Sequence, residues 1–254
     1  ARSVTKKQRL TAADELCAAG ACTSVCEAPF ELCNGLCTNT QPDADNCGGC
    51  ASRCGSGVCV DGECRSPLAG HLIIIGHDYR TRREAMGRIV GNAVFLSPGR
   101  SVSVATFEGA AETASRRGTD AAIASVSAET GRAWNPIAVP AEEMSYRLAA
   151  ADALLVYAQP RLSTADGTRI GREWAGALAG FLAVGGTVIV LVGGEGPEGG
   201  TLRILEGAGL ISGTATNRVD ISGALVHVTR PWDALATGVP LTYRAERSTV
   251  RIDL

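Results

Sequence analysis

The chain has 254 residues, with 24 Lys plus Arg against 26 Asp plus Glu, a formal net charge of −2 and 45% apolar residues. This balance excludes a disordered chain and provides no basic surface for nucleic acid or an anionic membrane. All ten cysteines fall between Cys17 and Cys64, so two regions with different folding strategies are expected: a short stapled one, and a longer cysteine-free one that must bury its own core.

Residues 1–16 read as an arm, polar and cationic at first, with Thr11-Ala12-Ala13-Asp14-Glu15 able to start a short helix behind a Thr cap. The chain opens Ala1-Arg2-Ser3-Val4 with neither Met nor an apolar run, as after removal of a signal peptide or at an arbitrary boundary, and the disulfides expected of the cysteine module favour the first.

Residues 17–64 form the cysteine module. Cys17, Cys22, Cys26, Cys33, Cys37, Cys47, Cys50, Cys54, Cys59 and Cys64 sit among Gly, Asn, Asp and Pro without apolar periodicity. Covalent staples are the expected substitute for a core, and they require an oxidising compartment. Metal ligation is the competing reading. Against it, Cys47-x-x-Cys50 is the sole C-x-x-C, no His lies in the module, and ferredoxin spacing is not reproduced. A redox pair at Cys47 and Cys50 would instead predict reactive thiols. The segment Asp43-x-Asp45-x-Cys47-Gly48 falls short of a calcium loop because Cys replaces a ligand. Spacing leaves the disulfide pairing open. Arg65-Ser66-Pro67-Leu68-Ala69-Gly70 is a linker, punctuated by Pro and Gly.

From residue 71 to 254 the pattern is that of an α/β domain. Leu72-Ile73-Ile74-Ile75 is a continuous apolar run, as in a strand buried on both faces of a parallel sheet. Ala85, Met86, Ile89, Val90, Ala93 and Val94 mark an amphipathic helix. Val102 to Phe107 is a second strand, Thr119 to Arg132 an Ala-rich helix, and Ala153 to Tyr157 a third strand. Glu142-Glu143 is a solvated helix start. Trp174 to Gly194 carries no charge and is nominally long enough to span a membrane. Gly185-Gly186 divides it, however, into a helix through Trp174, Leu178, Phe181 and Leu182 and a β-branched strand over Thr187 to Val192. A short helix from Thr201 to Ala208 and strands near Leu225 to Val228 and Thr249 to Ile252 complete the series. The alternation predicts a flavodoxin-like, doubly wound, mostly parallel sheet with no membrane span.

The best candidate for chemistry is His77-Asp78-Tyr79, just past the first strand, at the carboxyl edge where doubly wound folds bind ligands. In one reading His77 is an acid, base or sugar-contacting donor oriented by Asp78, with Gln159 or Glu195 completing a pocket. In the bland reading, which the residues favour, Asp78 caps the first helix and His77 is an exposed loop residue. Gly194-Glu195-Gly196-Pro197-Glu198-Gly199 matches G-x-G-x-x-G between a strand and a helix. Glu195 and Glu198 would repel a pyrophosphate, so a turn is expected there. His71 and His227 fall at strand ends and read as structural. No G-x-S-x-G elbow anchors a hydrolase triad. No cofactor and no metal site are expected.

Two resemblances add to this reading. The run Cys33-Asn34-Gly35-Leu36-Cys37, Asp43, Asn46-Cys47-Gly48-Gly49-Cys50, Cys54, Cys59 and Asp61-Gly62-Glu63-Cys64 resembles the stigma-specific protein family. That implies an extracytoplasmic, disulfide-bonded module with no chemistry attached. Ala151 to Tyr157, the Trp174 to Leu182 helix and Phe181 to Val190 are similar to the class I glutamine amidotransferase-like superfamily, in its trehalose-utilisation-protein branch. Active members carry a cysteine on a strand-to-helix elbow. Here the corresponding stretch Val190-Leu191-Val192-Gly193-Gly194-Glu195 has no Cys, Ser or His, so amidotransferase chemistry is not expected. The resulting expectation is a non-catalytic secreted or cell-surface structural or interaction protein that associates with itself, into a fibre or surface assembly, or with other envelope proteins. The alternative is a carbohydrate-binding or carbohydrate-processing protein with a glycan at the carboxyl edge.

Overall fold

The computed structural model describes residues 8–9, 15–18, 21–24, 26, 30–41, 43, 45–53, 59–60, 62–64, 70–81, 83–97, 99–195, 199–212 and 217–253. The chain divides into two units, Ala1–Pro67 and Leu68–Leu254. The helix start read at Thr11 lies outside the described residues up to Asp14, and Glu15 opens a strand instead. The linker residues 65–69, Cys54 and Gly196 to Glu198 also lie outside them.

In the first unit, short antiparallel pieces are tied by covalent bonds. Strands β1 (Gln8–Arg9), β5 (Leu36–Asn39) and β4 (Phe30–Cys33) form one three-stranded sheet. Strands β2 (Glu15–Ala18) and β3 (Ala21–Ser24) form a second pair, and β6 (Cys59–Val60) and β7 (Glu63–Cys64) a third. Asn34 and Gly35 both take positive φ, 50° and 78°, the backbone that a two-residue hairpin turn between β4 and β5 needs. Disulfides join Cys26 to Cys37, Cys33 to Cys50 and Cys47 to Cys59. Cys47 and Cys50 are therefore bonded elsewhere rather than to each other, and no free cysteine occurs among the described residues. Each closure of this length removes about 3 kcal/mol of unfolded-chain entropy, and among the described residues of this unit no apolar core cluster stands beside these bonds.

The second unit is built on five parallel strands. They are β8 (His71–Ile75), β9 (Ser101–Phe107), β10 (Ala133–Ala138), β11 (Ala153–Val156) and β12 (Thr187–Leu191), in the order β10-β9-β11-β12-β8. The order is that of a flavodoxin sheet, 2-1-3-4-5, with the last position filled by the first strand of the domain. Side chains alternate as the pleat requires. Ile73, Ile75, Val104, Leu155, Ile189 and Leu191 face one core with helices α1 (Glu84–Val94) and α2 (Thr113–Thr130). Leu154, Val156, Val188 and Val190 face the other, with α3 (Met144–Arg147), α4 (Thr164–Ala183) and α5 (Thr201–Gly207). The doubly wound α/β expectation is met.

Three departures from the expected elements have physical causes. Helix α4 begins ten residues before Trp174, where the Ser163 side chain accepts from the Asp166 amide. Its first half shows little apolar periodicity because the buried face there includes Gly167 and Gly171, lying against the backbone of Gly200 and Ile204. Helix α2 likewise begins at Thr113, since Ser115, Gly118 and Thr119 form its inward face; the Thr119 hydroxyl donates to the Ser115 carbonyl at 3.0 Å. It stops at Thr130, before Gly131 at φ 65°. Arg132 lies beyond it, and its guanidinium donates to the carbonyls of Phe95, Ser97 and Gly99, where a cation complements the end of α1. Among the described residues, no helix is long and apolar enough to cross a membrane.

Beyond α5 the chain leaves the parallel sheet. Strands β13 (Asn217–Asp220) and β16 (Val250–Asp253) pair antiparallel, as do β14 (Leu225–His227) and β15 (Thr242–Arg244). The amide of Val250 donates to the carbonyl of Gly76 at 2.8 Å, which brings this layer against the carboxyl end of β8.

Candidate functional site

The loops after all five parallel strands meet at one edge. His77 is 8% exposed, and its Nε2 lies 2.8 Å from the hydroxyl of Tyr243 in β15. Burial lowers the His77 pKa to about 4, so the ring is neutral at ordinary pH. Asp78 is also buried. Its carboxylate accepts from the Arg80 amide at 3.0 Å and from Arg80 Nε at 2.7 Å, while Arg80 reaches Glu112 at 3.3 Å. The bland reading of these two residues is corrected here. His77 is not an exposed loop residue, because Tyr243 and the C-terminal layer cover it. Nor does Asp78 cap α1, since the cap position is Arg83 and carries no side-chain bond.

Tyr79 points away from the edge into the core under α1 and α2, where its hydroxyl donates to the Met86 carbonyl at 3.1 Å. Burial raises its pKa well above the usual phenol value. A Cβ on Gly118 of α2 would collide with the Tyr79 carbonyl, so this tyrosine is a packing residue under a close helix crossing.

Gln159 and Glu195 come together from β11 and β12. The Gln159 side chain is fully buried and donates to the carbonyls of Phe107 at 3.2 Å and Tyr157 at 2.9 Å, while its Oε1 accepts from the Ala110 amide at 2.5 Å. Its own amide donates to Glu195 Oε1 at 2.6 Å, and the Thr201 hydroxyl bonds the same carboxylate oxygen. These side chains tie loops together, through polar contacts to the protein's own backbone and to Thr201. The carboxylate also stands at the first residue of α5, where a pyrophosphate would have to sit. The G-x-G-x-x-G match is therefore a loop already holding its own anion, and Gly196 to Glu198 lie outside the described residues.

The turn after β12 has no room for a nucleophile at its first glycine. A Cβ on Gly193 would run into the backbone of His77 and Asp78, and Gly194 takes φ 78° beside the Asp78 carboxylate and Arg80. Two residues that the sequence did not signal belong to this edge. Tyr243 approaches from the C-terminal layer, and Tyr157 donates to Asp120 of α2 at 2.5 Å. Burial raises both the Asp120 carboxyl and the Tyr157 phenol. Neither contact has a local sequence pattern. An open, mostly apolar cleft of about 530 Å³ lies at this edge, lined by residues that include Phe107, Gly109, Val139, Pro140, Leu162 and Ile170.

Among the described residues, Glu31, Cys33 and Cys50 come within metal-binding distance of each other, but Cys33 and Cys50 are bonded together and offer no thiolate. Asp43 accepts from the Asp45 amide and from Asn46, and Asp45 pairs with Arg53 at 2.9 Å. That loop is held by its own donors.

A family model described as the Stigma-specific STIG1-like protein family matches residues 3–67, in agreement with the resemblance read from the cysteine spacing. No curated protein matches the chain. Among solved structures, the shikimate dehydrogenase of Mycobacterium tuberculosis is similar over 48% of this chain and 54% of its own, at 14% identity and a TM-score of 0.21. The chain thus spans about half the length of that enzyme, and a likeness so slight carries no argument about activity.

Proposed function

We propose that this is an extracytoplasmic, non-catalytic interaction protein: a disulfide-stapled, stigma-specific-like module joined to an amidotransferase-like α/β domain that has kept its architecture and lost its chemistry. The observation that carries the reading is the state of the carboxyl edge. Gln159 and Glu195 bind loop backbone and Thr201, Asp78 is matched by Arg80, and His77 is covered by Tyr243. An acid-base site needs such groups free to meet a substrate. Gly193 stands where the superfamily's elbow would turn, and its surroundings leave no space for a side chain.

An interaction role predicts association with itself or with envelope proteins. Light scattering and electron microscopy of the intact protein over rising concentration test the self-association arm, with larger species expected. A monodisperse monomer at the highest concentration would remove it.

A second reading, glycan binding at the same edge, is favoured by one observation: His77 Nδ1 is buried without a hydrogen-bond partner. Glycan-array binding that disappears in His77→Ala supports it; array binding unchanged by that substitution sinks it.

A further inference from the structure

Among the described residues, two buried side-chain polar atoms have no partner, Nδ1 of His77 and Oγ1 of Thr249. Both lie along one seam. His77 follows Gly76, whose carbonyl accepts from the Val250 amide, and Thr249 precedes Val250. Leaving such atoms dry costs free energy that well-packed cores avoid.

The seam runs over a crevice with a defined topology. Helix α1 leaves β8 for one layer and α5 leaves β12 for the other, and doubly wound folds take their ligands where neighbouring strands diverge in this way. Here segment 242–250 occupies that position. Its contacts include the Tyr243 hydroxyl on His77, the Ser248 carbonyl accepting from the Gly194 amide at 2.9 Å, the Ser248 hydroxyl accepting from Arg80 at 3.4 Å, the Glu246 carboxylate on Arg83, and Val250 on Gly76. A Cβ on Gly76 would strike the Val250 carbonyl, so the approach is backbone to backbone.

We propose that segment 242–250 is a cover latched across the crevice between β8 and β12 by the His77–Tyr243 hydrogen bond, and that a proton taken up by His77 releases it. Neutral imidazole satisfies Tyr243 through Nε2 and leaves Nδ1 dry. Protonation makes both ring nitrogens donors, places a charge in the seam, and gives Nδ1–H no acceptor. Opening the cover lets water reach the ring. The charged groups around the seam are Asp78 and Glu112, both on Arg80, and Glu246 of the cover, which is held by Arg83. Burial is what disfavours the imidazolium in the closed state. The latch does not depend on the interaction role; it shares the unpartnered His77 Nδ1 with the glycan reading, and hydrogen exchange tests it with no glycan present.

Hydrogen exchange on the full chain tests it, read as protection factors at neutral pH and near pH 4. The amides of Gly194 and Val250 cross the seam, and their protection should fall roughly tenfold or more in acid and stay below that of Leu155 in β11, which exchanges only when the domain unfolds as a whole. His77→Gln, which keeps a hydrogen-bonding side chain and cannot titrate in this range, should abolish the effect. Glu246→Gln should preserve it. If His77→Gln fails to fold, Tyr243→Phe provides the check, with the seam amides already less protected at neutral pH. Seam amides as well protected in acid as Leu155, acid opening that persists in His77→Gln, acid opening lost in Glu246→Gln, or full seam protection in Tyr243→Phe at neutral pH would each overturn the latch.

Discussion

Tyr243 sets its hydroxyl 2.8 Å from Nε2 of His77, across 166 residues of chain, with the two rings tilted at 60° and their centroids 5.6 Å apart. This contact attaches the C-terminal layer to the parallel sheet through a polar pair that is largely shielded from water.

Replacing Tyr243 with Phe keeps the ring and removes the hydroxyl, so His77 loses its partner at Nε2 while Nδ1 is already without one. The expected destabilisation is about 1–3 kcal/mol, the cost of stranding a buried polar group. Thermal unfolding of Tyr243→Phe against wild type reads this directly. An unchanged midpoint would mean that the bond contributes nothing net.

Acid should weaken the fold through His77. Its folded pKa is about 4 against 6.5 for the free side chain. The stabilisation is complete above pH 6.5; below that the unfolded chain binds a proton that the folded chain refuses, so stability falls as pH drops toward about 4. The window corresponds to about 3 kcal/mol. Asp120 acts in the opposite sense, because burial raises its carboxyl. The difference between wild type and His77→Gln in denaturant titrations therefore isolates the imidazole, and the two should converge as pH falls.

Gly193 and Gly176 make a matched pair of glycines with opposite expectations. A Cβ on Gly193 would overlap the backbone of His77 and Asp78, whereas one on Gly176, exposed within α4, meets nothing within 4 Å. Gly193→Ala should destabilise by at least about 1–3 kcal/mol through overpacking. Gly176→Ala should stabilise by about 0.5–1 kcal/mol through helix propensity alone. Chemical denaturation of both variants checks the sign of each.

Much of the architecture was legible because it is written in local patterns. The β8 run Leu72 to Ile75, the α1 stripe through Met86 and Val90, and the Gly185-Gly186 break all survive in the structure. What escaped reading rests on glycine and on distance. The early turns of α4 bury Gly167 and Gly171, which carry no hydrophobic signal, and β10 contains Pro136, a residue that argues against a strand when read locally. At the edge, the sequence selected His77, Asp78, Gln159 and Glu195 by their positions after strands, and the structure buries all four. Their engagement with Tyr243, Ala110 and Thr201 depends on contacts between segments far apart in the chain, which no spacing rule reports.

Removing the Cys33–Cys50 bond should weaken the first unit alone. The bond closes a separation of 17 residues, which corresponds to about 3 kcal/mol of loop entropy. The unit from Leu68 onward contains no cysteine. In a double Cys33→Ser, Cys50→Ser variant, calorimetry should show one transition shifted down or lost and the other in place. Reductant should reproduce this in the wild type. A common shift of both transitions would show that the two units unfold together.

Pro136 governs the exposed edge of the sheet. In β10 the amides of Ala133 and Val139 donate to the carbonyls of Arg100 and Thr106, so the odd-numbered residues face β9 and the even-numbered ones turn outward. Pro136 therefore costs the ladder no hydrogen bond, and it removes the central donor from an edge that would otherwise present Trp134, residue 136 and Ala138 to another strand. Nearby Ile137 is half exposed, which makes a fully paired edge adhesive. Pro136→Val should leave the melting temperature within a few degrees and produce larger species by sedimentation velocity. Pro136→Lys restores the same donor with a charge and should stay at the wild-type size. If the valine variant sediments like wild type, the edge is protected by something other than the missing amide. If the lysine variant aggregates equally, the restored backbone donor, rather than apolar character, drives the pairing.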